Sequence, residues 1–538
     1  MGVRIVIVGK GLAGLVCAWQ LVKKSPKRDI NIDIICDGSG ASPFVHGFNL
    51  PLLKDDSVET FKKDTLQSGY NLANPDLVNC LCEDSAFIPE MLTELGIELK
   101  KQNGEYKLLK PLGSSFPRVA GSSNHTGLEI INRIQALLKE NKNISFIFNS
   151  RALRLDVENG KIKGVLIYNK QSKSFNYVTA DVVMLASGGF CGIYPFSTNS
   201  NDIGGDGIAM AYEAGALLTD MEFVQFEPSV AVYPQGICGK GVITTMFYEG
   251  AVLRNGKNER FMKQRKNSDN CECVSKDILA KAIFNEITNG TPTIHGGVYF
   301  DATGVGRKKL IDSYASYVKR YEDVGIDISK EPFEIAPGAH TSLGGVVINT
   351  NCATNIKGLF AAGEVTGGLH GANRLGGNAG LETLVFGRRS ANGICDYIKN
   401  IHDKNININE EIKVFLDNQN DLPIMTKDEL LHIRQKMQQI LKSDLFVVRN
   451  CPDLKKSISS LRKMKKHLAL HSCQENLYDK IRLENDLICA ILLAESSYAR
   501  EESVGCHIRS DSKNGDTNYN LFIQKDEQGK LNIWRKFK

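Results

Sequence analysis

No stretch of this 538-residue chain reaches the roughly 18 uninterrupted apolar residues that a membrane-spanning helix needs. No cleavable leader pattern surrounds the first residues, which run straight into the buried-strand pattern RIVIVG. Neither sign of charge dominates. The 66 basic and 61 acidic residues leave a net charge of +5, and no basic run is interleaved with aromatics, so a nucleic-acid partner is not expected. The one basic cluster, Lys455 to His467, reads as a solvated helix face. The 14 cysteines contain no Cys-x-x-Cys pair, which argues against an iron–sulfur or zinc-ribbon ligand set. The closer pairs, Cys80/Cys82 and Cys271/Cys273, read as incidental, and no metal site is expected. So many scattered cysteines suit a reducing compartment, and a cytoplasmic location is the expectation. Internal repeats and low-complexity segments are lacking too.

What is present is strongest at the start. Arg4 to Val8 reads as a short strand buried on both faces of a parallel sheet. Gly9-Lys10-Gly11-Leu12-Ala13-Gly14 follows, then the helical run LVCAWQLVKK, then a strand INIDIIC ending at Cys36-Asp37. The glycines permit, in turn, a tight turn, close backbone approach to a pyrophosphate, and close packing of helix on strand. The helix N-terminus then presents its positive dipole end to the phosphates. Asp37 is placed to accept from a ribose hydroxyl.

Further along, Asp56 to Leu99 reads as helical. Ser145 to Asn149, Lys161 to Tyr168 and Ser174 to Thr179 read as strands of a small antiparallel unit. Ala180 to Gly189 is another buried strand ending in a glycine turn. Residues 228–335 form a separable block, and 346–365 return to parallel-sheet character. From 405 helical periodicity takes over, with no glycine until 505, and Thr517 to Lys538 reads as strand-like.

Several segments together resemble one family, the flavoprotein subunit of succinate dehydrogenase and fumarate reductase, with its relative L-aspartate oxidase. They are GKGLAG, DTLQSGYNLANPDLV, FPRVAGSSNHTG, ASGG, TNSNDIGGDGIAMAYEAGALLTDMEFVQF, PGAHTSLGGVVI, LFAAGEVTGGLHGANRLGGNAGLETLVFGR and AREESVGCHIRSD. The resemblance implies an α/β fold: a Rossmann-like FAD-binding domain (1–227 and 336–404), an inserted α+β capping domain (228–335) and a C-terminal helical domain with a tail (405–538). It implies FAD as cofactor, held by Gly9, Gly11, Leu12, Ala13, Gly14, Asp37, Ser42, Ala186, Gly188, Asn199, Asp206, Gly363, Glu364, Arg374, Asn378, Ala379 and Leu381. The helix opening at Asn378 can turn its positive end to an anionic reduced flavin. The histidine that carries covalent flavin in respiratory members aligns with Pro43, and His46 is out of register, so the FAD is expected to be non-covalent.

Such enzymes move a hydride between flavin and a CH–CH or CH–NH2 bond of a small carboxylate, using a cationic clamp, a proton donor and a closed site. Arg374 and His340, with Thr341 beside it, match the carboxylate-binding positions; the plainer alternatives are a structural ion pair and a satisfied interior histidine. Elsewhere the chain departs. Gln225-Phe226-Glu227-Pro228-Ser229 stands where the family writes Gln-Phe-His-Pro-Thr, so a carboxylate replaces a substrate-binding histidine. Phe247-Tyr248-Glu249-Gly250 keeps the relay Glu249 but loses its arginine. Ser275-Lys276-Asp277 places Lys276 at the proton-shuttle arginine; the alternative is a surface lysine at a helix start.

One carboxylate of the substrate is therefore expected at Arg374 and His340, with Glu227 favouring an amine, imidazole or hydroxyl at the other end. Three readings stay open: a flavin reductase or dehydrogenase of a carboxylate, an amino-acid oxidase, or an electron-transfer subunit without substrate turnover. Electrons are expected to pass to or from an external partner, for which an iron–sulfur subunit is one form.

Overall fold

The computed structural model describes residues 2–24, 30–122, 125–200, 202–265, 268–399, 401, 422–473, 476–513, 515–526 and 528–538. Its centre is a five-stranded parallel sheet, in the order Leu359–Ala361, Val182–Leu185, Val3–Val8, Ile30–Cys36, Ile144–Phe148. These strands are rich in Val, Ile and Leu because both sheet faces are buried, against helices and against the strands Ser150–Glu158 and Lys161–Asn169. The first strand lies at the point where strand order reverses, with Val182–Leu185 on one side and Ile30–Cys36 on the other. In such sheets the crevice beyond the carboxyl ends at the reversal point is where ligands bind. Val8 pairs with both Leu185 and Ile35, so Gly9, Ala186 and Cys36 emerge side by side at that edge.

The opening turn is tight enough to forbid side chains. Gly9 has φ +112°, and a Cβ there would stand 2.3 Å from the Ala186 carbonyl oxygen. A Cβ on Gly14 would stand 2.2 Å from the Gly9 carbonyl oxygen. The helix Leu12–Lys24 therefore seats directly on the strand it follows. It carries no acidic residue in its first turn, which keeps the N-terminal dipole available to an anion.

Three local expectations are corrected. Ile144–Phe148 joins the edge of the parallel sheet, and the antiparallel unit is instead Ser150–Glu158, Lys161–Asn169 and Ser174–Thr179. Only Asn149, at φ 54°, separates the two strands, so alternation of apolar residues could not mark the break. Asp56 to Leu99 is three helices, Val58–Ser68, Pro75–Asp84 and Ile88–Glu94, interrupted where Tyr70 and Asn71 adopt φ 57° and 58°. Of the 346–365 stretch, only Leu359–Ala361 enters the parallel sheet. Gly345–Val346 pairs antiparallel with Leu218–Thr219, in a second sheet completed by Tyr519–Lys525 and Leu531–Phe537. The strand-like tail finds its place there.

Four antiparallel strands, ordered Val224–Ala231, Phe333–Ser342, Val298–Asp301, Val252–Arg254, build the capping unit with the helices Lys276–Thr288 and Arg307–Glu322. It has its own core, including Phe247, Leu253, Phe300, Tyr321 and Phe333. Its two longest strands run across 227/228 and 335/336, and so carry side chains from this unit toward the parallel-sheet unit. The helices Lys427–Ser443, Cys451–Ala469 and Leu477–Ala499 follow. The change of composition at 405 lies outside the described residues. Among the described residues no helix is long and apolar enough to cross a membrane.

Candidate active site

At the carboxyl ends of the parallel strands lies a cleft of about 1160 Å³, its open mouth included. Its lining includes Gly9, Gly11, Leu12, Ala13, Asp37, Ser42, Ala186, Gly188, Asp206, Gly363, Glu364 and Ala379. The two stretches that sequence separates by more than 340 residues thus meet in one cavity. The cavity fits an adenine dinucleotide on its own terms: a glycine turn at its floor, a helix N-terminus free of acid, and the Arg151 guanidinium in the wall. Ser42 Oγ accepts from the Leu12 amide at 3.0 Å and steadies that helix start. Asp37 is in the lining, with its carboxylate held by Arg151 at 2.5 Å and by Lys170.

The candidate substrate residues Glu227, Lys276, His340 and Arg374 are not in that lining, and they gather instead around the strands Val224–Ala231 and Phe333–Ser342. The strands Val224–Ala231 and Phe333–Ser342 pair Gln225 with Thr341 and then Phe226 with Ala339. His340 is the unpaired residue between them, and such a bulge re-aims a side chain that regular pairing would bury in the ladder. The ring lies 3.9 Å from Glu227 Oε2 through Nε2, and Nδ1 sits 2.7 Å from Thr198 Oγ1. His340 keeps 31% of its side chain accessible. Even so, enclosure by protein, and the Lys276 and Arg374 cations, hold it well below the ordinary histidine range. It is a neutral imidazole at neutral pH.

Lys276 is the first residue of the helix Lys276–Thr288, and its ammonium bonds directly to Glu227 Oε2. Both side chains are largely buried, at 16% and 8% exposure. Arg374 is 5% exposed. Its one side-chain hydrogen bond among the described residues is from Nη1 to the Leu375 carbonyl at 3.4 Å, and its Nε has no partner. Burial lowers its pKa, while Glu227, Glu364 and Glu382 oppose that shift. Gln225 holds the Arg374 loop, donating to Asn373 Oδ1 at 2.9 Å and to the Arg374 carbonyl at 3.0 Å. Lys276 pairs with Glu227, His340 is neutral, and Arg374 has no ion pair of its own among the described residues, with Glu227, Glu364 and Glu382 within its electrostatic reach.

Other expected residues fall differently. Thr341 is buried in the same strand. Asn199 donates to the His340 carbonyl at 2.8 Å, which steadies the bulge. Asn378 opens its helix, but its side chain turns inward, accepting from Asn49 at 2.7 Å and donating to Thr65 at 3.2 Å. Leu381 is a buried residue of the same helix. Glu249 is 35% exposed and pairs with Lys309 at 3.1 Å. It is Glu227, not Glu249, that holds Lys276. Sequence reasoning passed over Thr198, Gln225 and Asn373, although an amide inside the apolar strand VQF is itself a signal of a buried polar role. It also passed over Tyr70 and Asp277, whose side chains share a 2.5 Å hydrogen bond.

Glu364 accepts from the Ser342 amide at 3.0 Å, and burial pushes its carboxyl from 4.5 up to about 7. Between those values the folded chain binds the proton that the unfolded chain has lost. Its contribution to stability is thus full below the lower value and disappears as pH rises through the upper one. In flavin-free protein, Glu364→Gln is expected to remove on the order of 1–3 kcal/mol of pH-dependent stability across that window. Urea unfolding at a series of pH values reads this directly. Asp220, pushed up to about 7 by burial and by Glu222, keeps its own share in either protein.

Comparison with known proteins agrees with this arrangement. Residues 4–379 match the family described as FAD binding domain, and residues 434–534 match the one described as fumarate reductase flavoprotein C-term. The chain is 34% identical over 524 residues to a component of the fumarate reductase (CoM/CoB) of Methanothermobacter marburgensis, covering 94% of each. It is 32% identical over 520 residues to an L-aspartate oxidase of Saccharolobus solfataricus, covering 95% of this chain and 96% of that one. Among solved structures, FrdA of the E. coli quinol fumarate reductase superposes with a TM-score of 0.91 at 25% identity, covering 100% of this chain and 97% of that one.

Proposed function

The chain belongs to the FAD-dependent oxidoreductase family of fumarate reductase and L-aspartate oxidase, and on that premise we propose that its substrate is a small acid bearing a single carboxylate next to the reacting bond. The observation that carries the reading is the charge of the inner group: Arg374 is buried with no ion-pair partner among the described residues, while Lys276 is spent on Glu227. A second substrate carboxylate would meet the Glu227–Lys276 pair, which offers no net positive charge. A hydroxyl, amine or imidazole can instead hydrogen-bond to it.

Bound FAD supplies the two-electron hydride chemistry. The residues do the rest. Arg374 grips the carboxylate through two parallel N–H donors and draws electron density from the adjoining bond. Thr198 Oγ1, 2.7 Å from Nδ1, fixes the ring, and in the Nε2–H tautomer His340 donates to the substrate. Lys276 gives its proton to the carbon next to the one that receives the hydride, and takes it back in the reverse direction. The cap closes over the site and keeps water out. Electrons reach the protein from an external donor, for which we propose an iron–sulfur subunit.

The test is reoxidation of dithionite-reduced holoprotein, followed by flavin absorbance without air, across unsaturated monocarboxylates and fumarate. Monocarboxylates are expected to exceed fumarate in kcat/KM by ~10-fold or more, and Glu227→His to move the ratio toward fumarate. Faster turnover of fumarate, with no gain from Glu227→His, would sink the reading. Peroxide formed in air from an amino acid would replace it with an oxidase.

A further inference from the structure

A proton given up by Lys276 must be replaced from solvent, yet Lys276 is largely buried and Glu249 is engaged with Lys309 on the outer side of the cap. Next to Lys276 in the chain, Asp277 is 5% exposed. Its Oδ2 accepts a 2.5 Å hydrogen bond from the Tyr70 hydroxyl, and its Oδ1 is buried with no partner. Tyr70 itself is 40% exposed. It comes from the turn between the helices Val58–Ser68 and Pro75–Asp84, where it adopts φ 57°. A left-handed aromatic residue costs about 1–2 kcal/mol that glycine would avoid, so the turn holds this ring at some expense. Ser275 and Cys506 stand beside the phenol, and Cys506 in turn lies within electrostatic reach of Asp277, Lys276 and Arg374. Tyr70 and Asp277 thus form a hydrogen-bonded pair between the surface and the chain position next to Lys276, with Cys506 close by.

We propose that Tyr70 and Asp277 form the solvent entrance through which Lys276 is reprotonated. The inference rests on the functional reading above, since it needs Lys276 as the proton donor. The steps balance. Lys276 passes one proton to the substrate carbon as the neighbouring carbon receives the hydride, and becomes a neutral amine. The Tyr70 hydroxyl passes its proton to Asp277 while its oxygen takes one from water. Asp277, as the acid, restores the ammonium of Lys276, its neighbour in the chain, through bridging water, and the hydroxide left by the water at Tyr70 passes to bulk solvent. The two electrons come from the external reductant, dithionite in the assay.

Tyr70→Phe removes the hydroxyl and keeps the ring. Asp277→Asn still accepts from Tyr70 but carries no exchangeable acid proton. In repeated turnover of the best unsaturated monocarboxylate, driven by excess dithionite, each variant is expected to be at least about tenfold slower, with a larger solvent deuterium effect and recovery on adding imidazolium buffer. Slowing without either sign would mean a merely structural role and would overturn the proposal, as would wild-type rates in both variants. A second measurement needs no turnover. On alkaline titration followed by tyrosinate absorbance, Asp277→Asn is expected to bring one tyrosine down in pH, because burial and the Asp277 carboxylate hold Tyr70 above the ordinary range. If no tyrosine moves, the hydrogen bond is absent and the proposal fails. If wild-type protein is reoxidised by no unsaturated acid, the functional reading falls and the relay with it. If wild type turns over and the variants match it, the relay alone falls.

Discussion

Arg374→Met is expected to lower kcat/KM by about 10³-fold or more, roughly 4 kcal/mol, while the protein keeps its flavin and does not lose thermal stability. The two halves of that result have one cause. A guanidinium 5% exposed, whose Nε is unpartnered among the described residues and whose Nη1 has only a 3.4 Å bond to the Leu375 carbonyl, has surrendered its hydration for little in return. Such a charge weighs against folding, and an apolar side chain of similar volume relieves it. Its return comes only when a carboxylate arrives to fill the donors. Arg374→Lys is expected to fail nearly as badly, because a point ammonium cannot reproduce two parallel hydrogen bonds. Steady-state kinetics with thermal unfolding of the same samples separates the possibilities. A variant that loses stability and activity together would identify Arg374 as a structural ion-pair residue instead.

The second large effect concerns the pair beneath it. Lys276→Met leaves Glu227 buried without its partner, and breaking a buried pair in this way destabilises by about 3–5 kcal/mol. Turnover is expected to fall by about 10²–10⁴-fold, the usual worth of a positioned proton donor. Adding Glu227→Met in the same chain should recover most of the stability, since neither charge is then orphaned, but none of the turnover. The double-mutant cycle isolates the coupling. Recovery of turnover in the double variant would show that Lys276 serves only to neutralise Glu227, and would move the proton donor elsewhere.

Legibility in the sequence tracked distance along the chain. The strand, glycine turn and helix from Val3 to Lys24 follow from local rules, because the φ of Gly9 and the seat of Gly14 depend on near neighbours. The same holds for the antiparallel hairpin Lys161–Asn169 and Ser174–Thr179. Where a break turned on one residue, as at Asn149 or Tyr70, periodicity ran through it unseen. The candidates Arg374, His340, Glu227 and Lys276 were legible through resemblance to a family. Their relation to each other was not.

Residue types at set spacings determined that this chain builds a parallel sheet, a dinucleotide turn and a strand-to-helix return at Glu364. Each of those is decided within a few residues by backbone sterics and by which faces are apolar. Tertiary structure alone decided that Lys276 would neutralise Glu227, 49 positions away, and that Tyr70 would reach Asp277 across 207. It also left the Nε of Arg374 without a hydrogen-bond partner among the described residues. Charges in a low-dielectric interior act through space, and the chain order that places them carries no record of which will meet.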